Sequence, residues 1–276
     1  MAEAESTELN VVQNTPRLGL DDRFTFQCDP THDCFGHCCQ DVSILLTPYD
    51  VMRMKKALGI NSSEFMEKYT SIAYSSEKRV PVVFLKMNED DKKCQFISEK
   101  GCGVYTSRPW ACRMYPLGMA ERGTSQAAAE RFYFVVKEEL CHGHGRGAEC
   151  KVSEFIDGQG VEPYDVMQGP FRRLLALAAE QEKALTEDQC AMYYMALYDI
   201  DRFRRFVFET RFLNLFDVDE ARVHALHTDD EELLALAVEW LAFSLFQQKV
   251  MRMSKTAAQQ RRATGPEACA NEASPA

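Results

Sequence analysis

Residues 26–41 read FQCDPTHDCFGHCCQD and place four cysteines, Cys28, Cys34, Cys38 and Cys39, in one short loop, the last two adjacent. A second set follows in residues 93–116, KCQFISEKGCGVYTSRPWACRMYP, which supplies Cys94, Cys102 and Cys112. A third, CHGHGRGAEC over residues 141–150, supplies Cys141 and Cys150, leaving Cys190 and Cys269 apart. Thiolates are soft ligands that select zinc, copper(I) or iron–sulfur clusters, so cysteine at this density reads first as a metal site. The candidate ligands are Cys28, Cys34, Cys38, Cys39, Cys94, Cys102, Cys112 and Cys141.

The spacing separates the possible centres. Zinc knuckles pair two CxxC units, whereas the gaps here are five residues, then three, then none. Adjacent side chains tend to diverge, so Cys38 and Cys39 suit different atoms of a cluster, or one ligates while the other packs. The thiolates also exceed the four that one zinc accepts. An iron–sulfur cluster of the 4Fe–4S type is the expected cofactor, with zinc as the alternative. His32, His37, His142 and His144 flank the cysteines and could complete a mixed zinc site, although a polar loop histidine is more often solvated. Arg108 and Arg113 are candidates for contact with the cofactor, either neutralising thiolate charge or pinning the loop.

Composition bounds the rest. The chain has 276 residues, 46% of them hydrophobic, enough to bury a core without disulfides. The cysteine count of eleven is odd, which does not fit a disulfide framework. The first residues lack a basic and apolar leader, so the expected location is the cytoplasm, where thiols stay reduced. A net charge of −10 without a basic segment argues against nucleic acid. The apolar run 233–246 is too short for a bilayer span and contains Glu239, so no membrane segment is expected.

Punctuation and periodicity give an α+β class: a small cysteine-rich region of strands, turns and short helices, packed against a C-terminal helical layer. Thr47-Pro48-Tyr49-Asp50 predicts a helix start, with Thr47 as cap, Pro48 first, Leu58 last and Gly59 as the stop. Asn61-Ser62-Ser63-Glu64 opens a second helix to about Tyr69. Strands are expected over 42–46, 80–87, 94–97 and 131–136, the middle two joined as a hairpin through NEDDKK. Helices are expected over 170–184, 187–216 and 229 to about 260. The domains are accordingly a tail at 1–23, a metal-binding domain at 24–160, a helical region at 163–262 and a tail at 263–276.

The order of cysteines, then a strand and a Leu-Thr-Pro helix start, then CQFI and GCGVYTSRPWACRMYPLG, resembles the YkgJ-type cysteine-cluster family, whose members are described as chelating zinc or iron. Cys102, Tyr105, Arg108, Pro109, Cys112, Arg113 and Pro116 fall on that family's pattern, while the gap between Cys28 and Cys34 is wider than usual. The cysteines are also similar to those of flagellin lysine N-methylases, a resemblance that implies an iron–sulfur cluster. No glycine-rich strand-to-helix loop for a methyl donor is found. The expected function is thus a metal-binding protein whose partner is a metal or cluster, any protein partner being undetermined. The alternative is a cluster-dependent enzyme of electron or group transfer.

Overall fold

The computed structural model describes residues 15–74, 80–122, 130–181 and 183–254. Among these it is α+β, with short strands and ten helices. Strand β1 (Arg23–Phe26) leads into the cysteine loop. The extended run expected at 42–46 forms only β2 (Leu45–Leu46), because Asp41 turns to φ 52° and donates instead to the Lys92 carbonyl at 2.8 Å.

Helix α1 (Pro48–Leu58) has the expected limits. The Thr47 hydroxyl accepts from the Asp50 N–H at 3.2 Å, and the Asp50 carboxylate accepts from the Thr47 N–H at 2.7 Å, a reciprocal cap that satisfies two backbone donors. Gly59 ends the helix at φ 66°. Helix α2 (Ser62–Tyr69) is capped by Asn61, which accepts from the Glu64 N–H at 2.9 Å. Strands β3 (Thr70–Tyr74) and β4 (Pro81–Leu85) follow.

The NEDDKK turn forms, closed by a bond from the Asn88 N–H to the Lys93 carbonyl at 2.8 Å and a bridge between Met87 and Cys94. Residues 94–97 then turn rather than extend, with the Ile97 N–H donating to the Cys94 carbonyl. The hairpin that results is one step later, β5 (Ile97–Ser98) against β6 (Gly101–Cys102). Helix α3 (Trp110–Met114), strands β7 (Leu117–Arg122), β8 (Glu130–Val135) and β9 (His144–Lys151) and helix α4 (Val152–Gly158) complete the cysteine-bearing part.

Helix α5 (Glu162–Ala179) begins before Pro170, the residue expected to start it, and carries that proline inside. The run expected as one helix over 187–216 is broken into α6 (Glu187–Leu197), α7 (Ile200–Glu209) and α8 (Phe212–Leu215). Asp199 causes the first break: its carboxylate accepts from the Ser62 and Ser63 hydroxyls at 2.6 and 2.8 Å, contacts made from α2. Helix α9 (Glu220–Leu226), not anticipated, starts at Asp219, which accepts from the Arg222 N–H. Helix α10 (Asp230–Phe246) starts on an Asp229 cap and stops where Gln247 turns to φ 56°, well before 260.

Two compact units are formed. The chain up to Leu46, with Phe84–Val166, makes the first; Thr47–Val83, with Met167 onward, makes the second. In the first, β7 pairs with β8 and β1 with β9, both antiparallel, the latter with Phe24 opposite Cys150. Phe24, Met114, Leu117, Tyr133, Val152 and Val161 form its core, with Cys150 packed at the edge. Residues just before β1 are docked, since Leu18 and Tyr133 exchange two backbone bonds of 2.8 Å. The tail residues 1–14 and 263–276 lie outside the described residues.

In the second unit Trp240 of α10 packs on Phe206, Phe203 and Phe212 at centroid distances of 5.1, 5.5 and 5.9 Å. Burying each such ring contributes on the order of 1.5–3 kcal/mol. Lys55 is buried, and its charge is met by Asp201 and Asp230, each at 3.0 Å, with Arg204 bonded to both carboxylates. No helix of the described residues is long and apolar enough to cross a membrane.

Each unit holds one of the chain's two tryptophans, Trp110 or Trp240, so fluorescence can follow them separately. Gly59→Ala places a Cβ in the left-handed region and should destabilise the second unit by about 1 kcal/mol. A lowered denaturant midpoint for Trp240 in a Trp110→Phe background is the expected result.

Candidate metal centre

From Cys28 to Cys39 the chain is a series of tight turns. The N–H groups of His32, Phe35, His37 and Cys39 each donate three residues back, and His37–Cys39 form a single 3-10 turn. Asp29 fixes the first bend by accepting from the Thr31 hydroxyl at 2.5 Å and from the Thr31 N–H and the Gln27 amide, both at 2.8 Å. These bonds hold its carboxyl down at about 2.

Two backbone seams bring the other cysteines to this loop. On one side the Cys94 N–H donates to the Cys39 carbonyl at 2.7 Å, and the β5–β6 hairpin then sets Cys102 opposite Ile97. The Cys94 sulfur also receives the N–H groups of Phe96 and Ile97, yet burial and the field of Cys102 leave its thiol raised. On the other side the Gln27 N–H donates to the Gly143 carbonyl at 3.1 Å, and the Cys34 sulfur accepts the His142 N–H at 3.3 Å, so Cys28 and Cys34 meet the chain beside Cys141. Gly143 is required here: a Cβ on it would lie 2.5 Å from the Gln27 carbonyl oxygen.

The thiols feel one another accordingly. Lost hydration, then Cys38, Cys34 and Cys141, push Cys28 up to about 11. Cys39 is raised most strongly, first by its hydrogen bond to Cys38 and burial, then by Cys38, Cys94 and Cys112. Cys38, which receives that bond, falls to about 7. All eight cysteines expected as ligands thus belong to the first unit, where none is joined in a disulfide. Cys150 lies in the core cluster and Cys190 is buried in α6.

The two arginines occupy the hairpin side. Arg113 is buried and spends its guanidinium on three backbone carbonyls, those of Arg108, Gln159 and Thr106, at 3.1, 2.7 and 2.6 Å, with Tyr164 stacked at 4.5 Å. Arg108 donates to the Tyr105 carbonyl and to Gln159. Burial lowers its pKa, opposed in part by the fields of Cys112 and Cys102. Sequence reasoning missed Gln159, which lies in an unremarkable helix end and is recognisable only once the arginine geometry is known.

Of the flanking histidines, His142 Nδ1 meets Asp33 at 2.7 Å. With Cys34 these form the one group of three metal-binding types within 4.8 Å among the described residues. His144 packs on Phe26 and is desolvated, which lowers its pKa. His32 lies against Asp29 at 3.4 Å and His37 is exposed. Tyr115 and Glu138, bonded at 3.0 Å, border Cys141, and the sequence did not single out Glu138.

A unit that converges free thiols from four chain segments, backed by backbone N–H donors and a guanidinium, defines a thiolate metal-binding domain. Residues 27–142 match the model of the CxxCxxCC family, described as a "putative zinc- or iron-chelating domain". The match agrees with the YkgJ-type resemblance and supports metal binding by that segment. No curated protein and no solved structure matches the chain.

Arg113→Lys removes the planar fork, and one ammonium cannot reach three carbonyls. Hydrogen bonds from a charged donor contribute about 1.5–3 kcal/mol each, so the first unit should lose at least about 2 kcal/mol. Unfolding followed at Trp110 in a Trp240→Phe background measures it.

Proposed function

We propose that the first unit holds an iron–sulfur cluster of the 4Fe–4S type on thiolates drawn from Cys28, Cys34, Cys38, Cys39, Cys94, Cys102, Cys112 and Cys141, and that the protein acts in the cytoplasm as a metal-binding protein. The observation that carries this reading is the number of thiols: these eight cysteines, all outside any disulfide, lie in the first unit, twice what one tetrahedral zinc accepts. The backbone N–H groups aimed at the Cys94 sulfur are the kind of donor that tunes a cluster's potential.

In this reading Arg108 offsets thiolate charge at Cys102 and Cys112, and Arg113 holds the loop that carries them without touching the cluster. When bound, the cluster would supply one-electron chemistry or structural cross-linking. The chain's residues supply the thiolates, the N–H donors and the partial exclusion of water.

The test is anaerobic reconstitution of the full chain with iron and sulfide. Broad visible absorption with iron and acid-labile sulfide is expected, reduced together with stability in Cys38→Ser and Cys102→Ser, because binding energy at such a site becomes folding energy. Stoichiometric zinc with no iron and no absorption under the same handling would replace the cluster with a structural zinc site. Full occupancy in both variants would remove these cysteines from the ligand set.

A further inference from the structure

We propose that the eight cysteines hold two metal centres, Cys28, Cys34, Cys38 and Cys141 around one and Cys39, Cys94, Cys102 and Cys112 around the other, with the chain passing between them at the Cys38–Cys39 peptide bond. This rests on the thiolate metal-binding reading above and goes beyond it by dividing the ligands.

The two backbone seams carry the division. The seam from Gln27 to Gly143 and from His142 to the Cys34 sulfur joins Cys28, Cys34 and Cys141. The seam from Cys94 to the Cys39 carbonyl, continued by a bridge between Gln40 and Lys93, joins Cys39 to the hairpin that bears Cys102. Cys112 completes the second set from α3, with Arg108 facing both it and Cys102. The neighbours meet at the adjacent pair: Cys28 lies near Cys38, Cys34 and Cys141, and Cys39 near Cys38, Cys94 and Cys112.

The adjacent pair fits the same division. A 3-10 turn advances three residues per turn, so the side chains of Cys38 and Cys39 leave the backbone about 120° apart. Their sulfurs remain within hydrogen-bond reach, so the two sets meet at this pair. Four thiolates satisfy either one zinc or one 4Fe–4S cluster, so eight in two sets of four make two centres of either kind. The surroundings also differ. Asp33, Glu138 and Tyr115 border the first set, and Arg108 borders the second.

Native mass spectrometry of the wild-type chain during stepwise anaerobic loading with iron and sulfide tests this without any substitution. Two centres predict three species: metal-free, half-loaded and fully loaded. A single step from metal-free to fully loaded overturns the proposal. Pair variants assign the halves. Cys28→Ser with Cys34→Ser, and separately Cys94→Ser with Cys102→Ser, should each lower bound metal by about half, and the four together should abolish it. Loss of all metal in either pair, or no loss in the first pair, is equally fatal to the division. A wild-type chain that takes up no metal would instead overturn the metal-binding reading beneath it.

Discussion

Everything in the first unit answers to one electrostatic constraint: many sulfur groups are held side by side in partly desolvated surroundings, where like charges cannot all form. Cys28, Cys39 and Cys94 respond with thiols raised above their ordinary value, and only Cys38, stabilised by its neighbour's S–H, is lowered. Without metal Cys28, Cys39 and Cys94 therefore hold their protons more tightly than an ordinary thiol. A cation must displace those protons, which couples loading to pH as well as to folding. The fold meets the remaining charge with N–H groups at Cys94 and Cys34 and with a half-desolvated guanidinium at Arg108.

Arg113 shows how rigidly the hairpin side is built. Arginine in such a place would ordinarily be read as a charge partner, yet its donors all end on carbonyls of residues 106, 108 and 159. It closes the 105–113 loop onto the end of α4, so Cys102 and Cys112 are held at fixed points by an interaction that involves no thiolate. A residue that fits a family pattern can thus be there for scaffolding.

What the sequence disclosed followed the range of the interactions involved. The Thr47–Asp50 cap, Gly59 and the Asn61 cap are local chemistry, and the helices they bound appear where expected. The eight cysteines were legible because thiolate chemistry is specific. Long-range partners hid the rest. The break at Asp199 depends on Ser62 and Ser63, far away in sequence, and no glycine or proline announces it. Strand β9 is rich in glycine and charge and reads as loop until β1 pairs with it. The second unit takes in α1 and α2, which the sequence places among the cysteines, because Lys55 and Ser62 are tied to Asp201 from α7.

The same interleaving of units has a bearing on biosynthesis. Cys28 to Cys39 leave the ribosome first, but their partners are separated from them by an insertion, Thr47–Val83, that belongs to the other unit. The hairpin cysteines come next, and Cys141, with the Gly143 backbone that locks the seam to Gln27, comes last. Closing contacts over such long stretches of chain is slow, since loop entropy is lost before any bond is gained. The nascent chain therefore carries open thiols until Gly143 has emerged, and metal insertion waits for that last seam to shut.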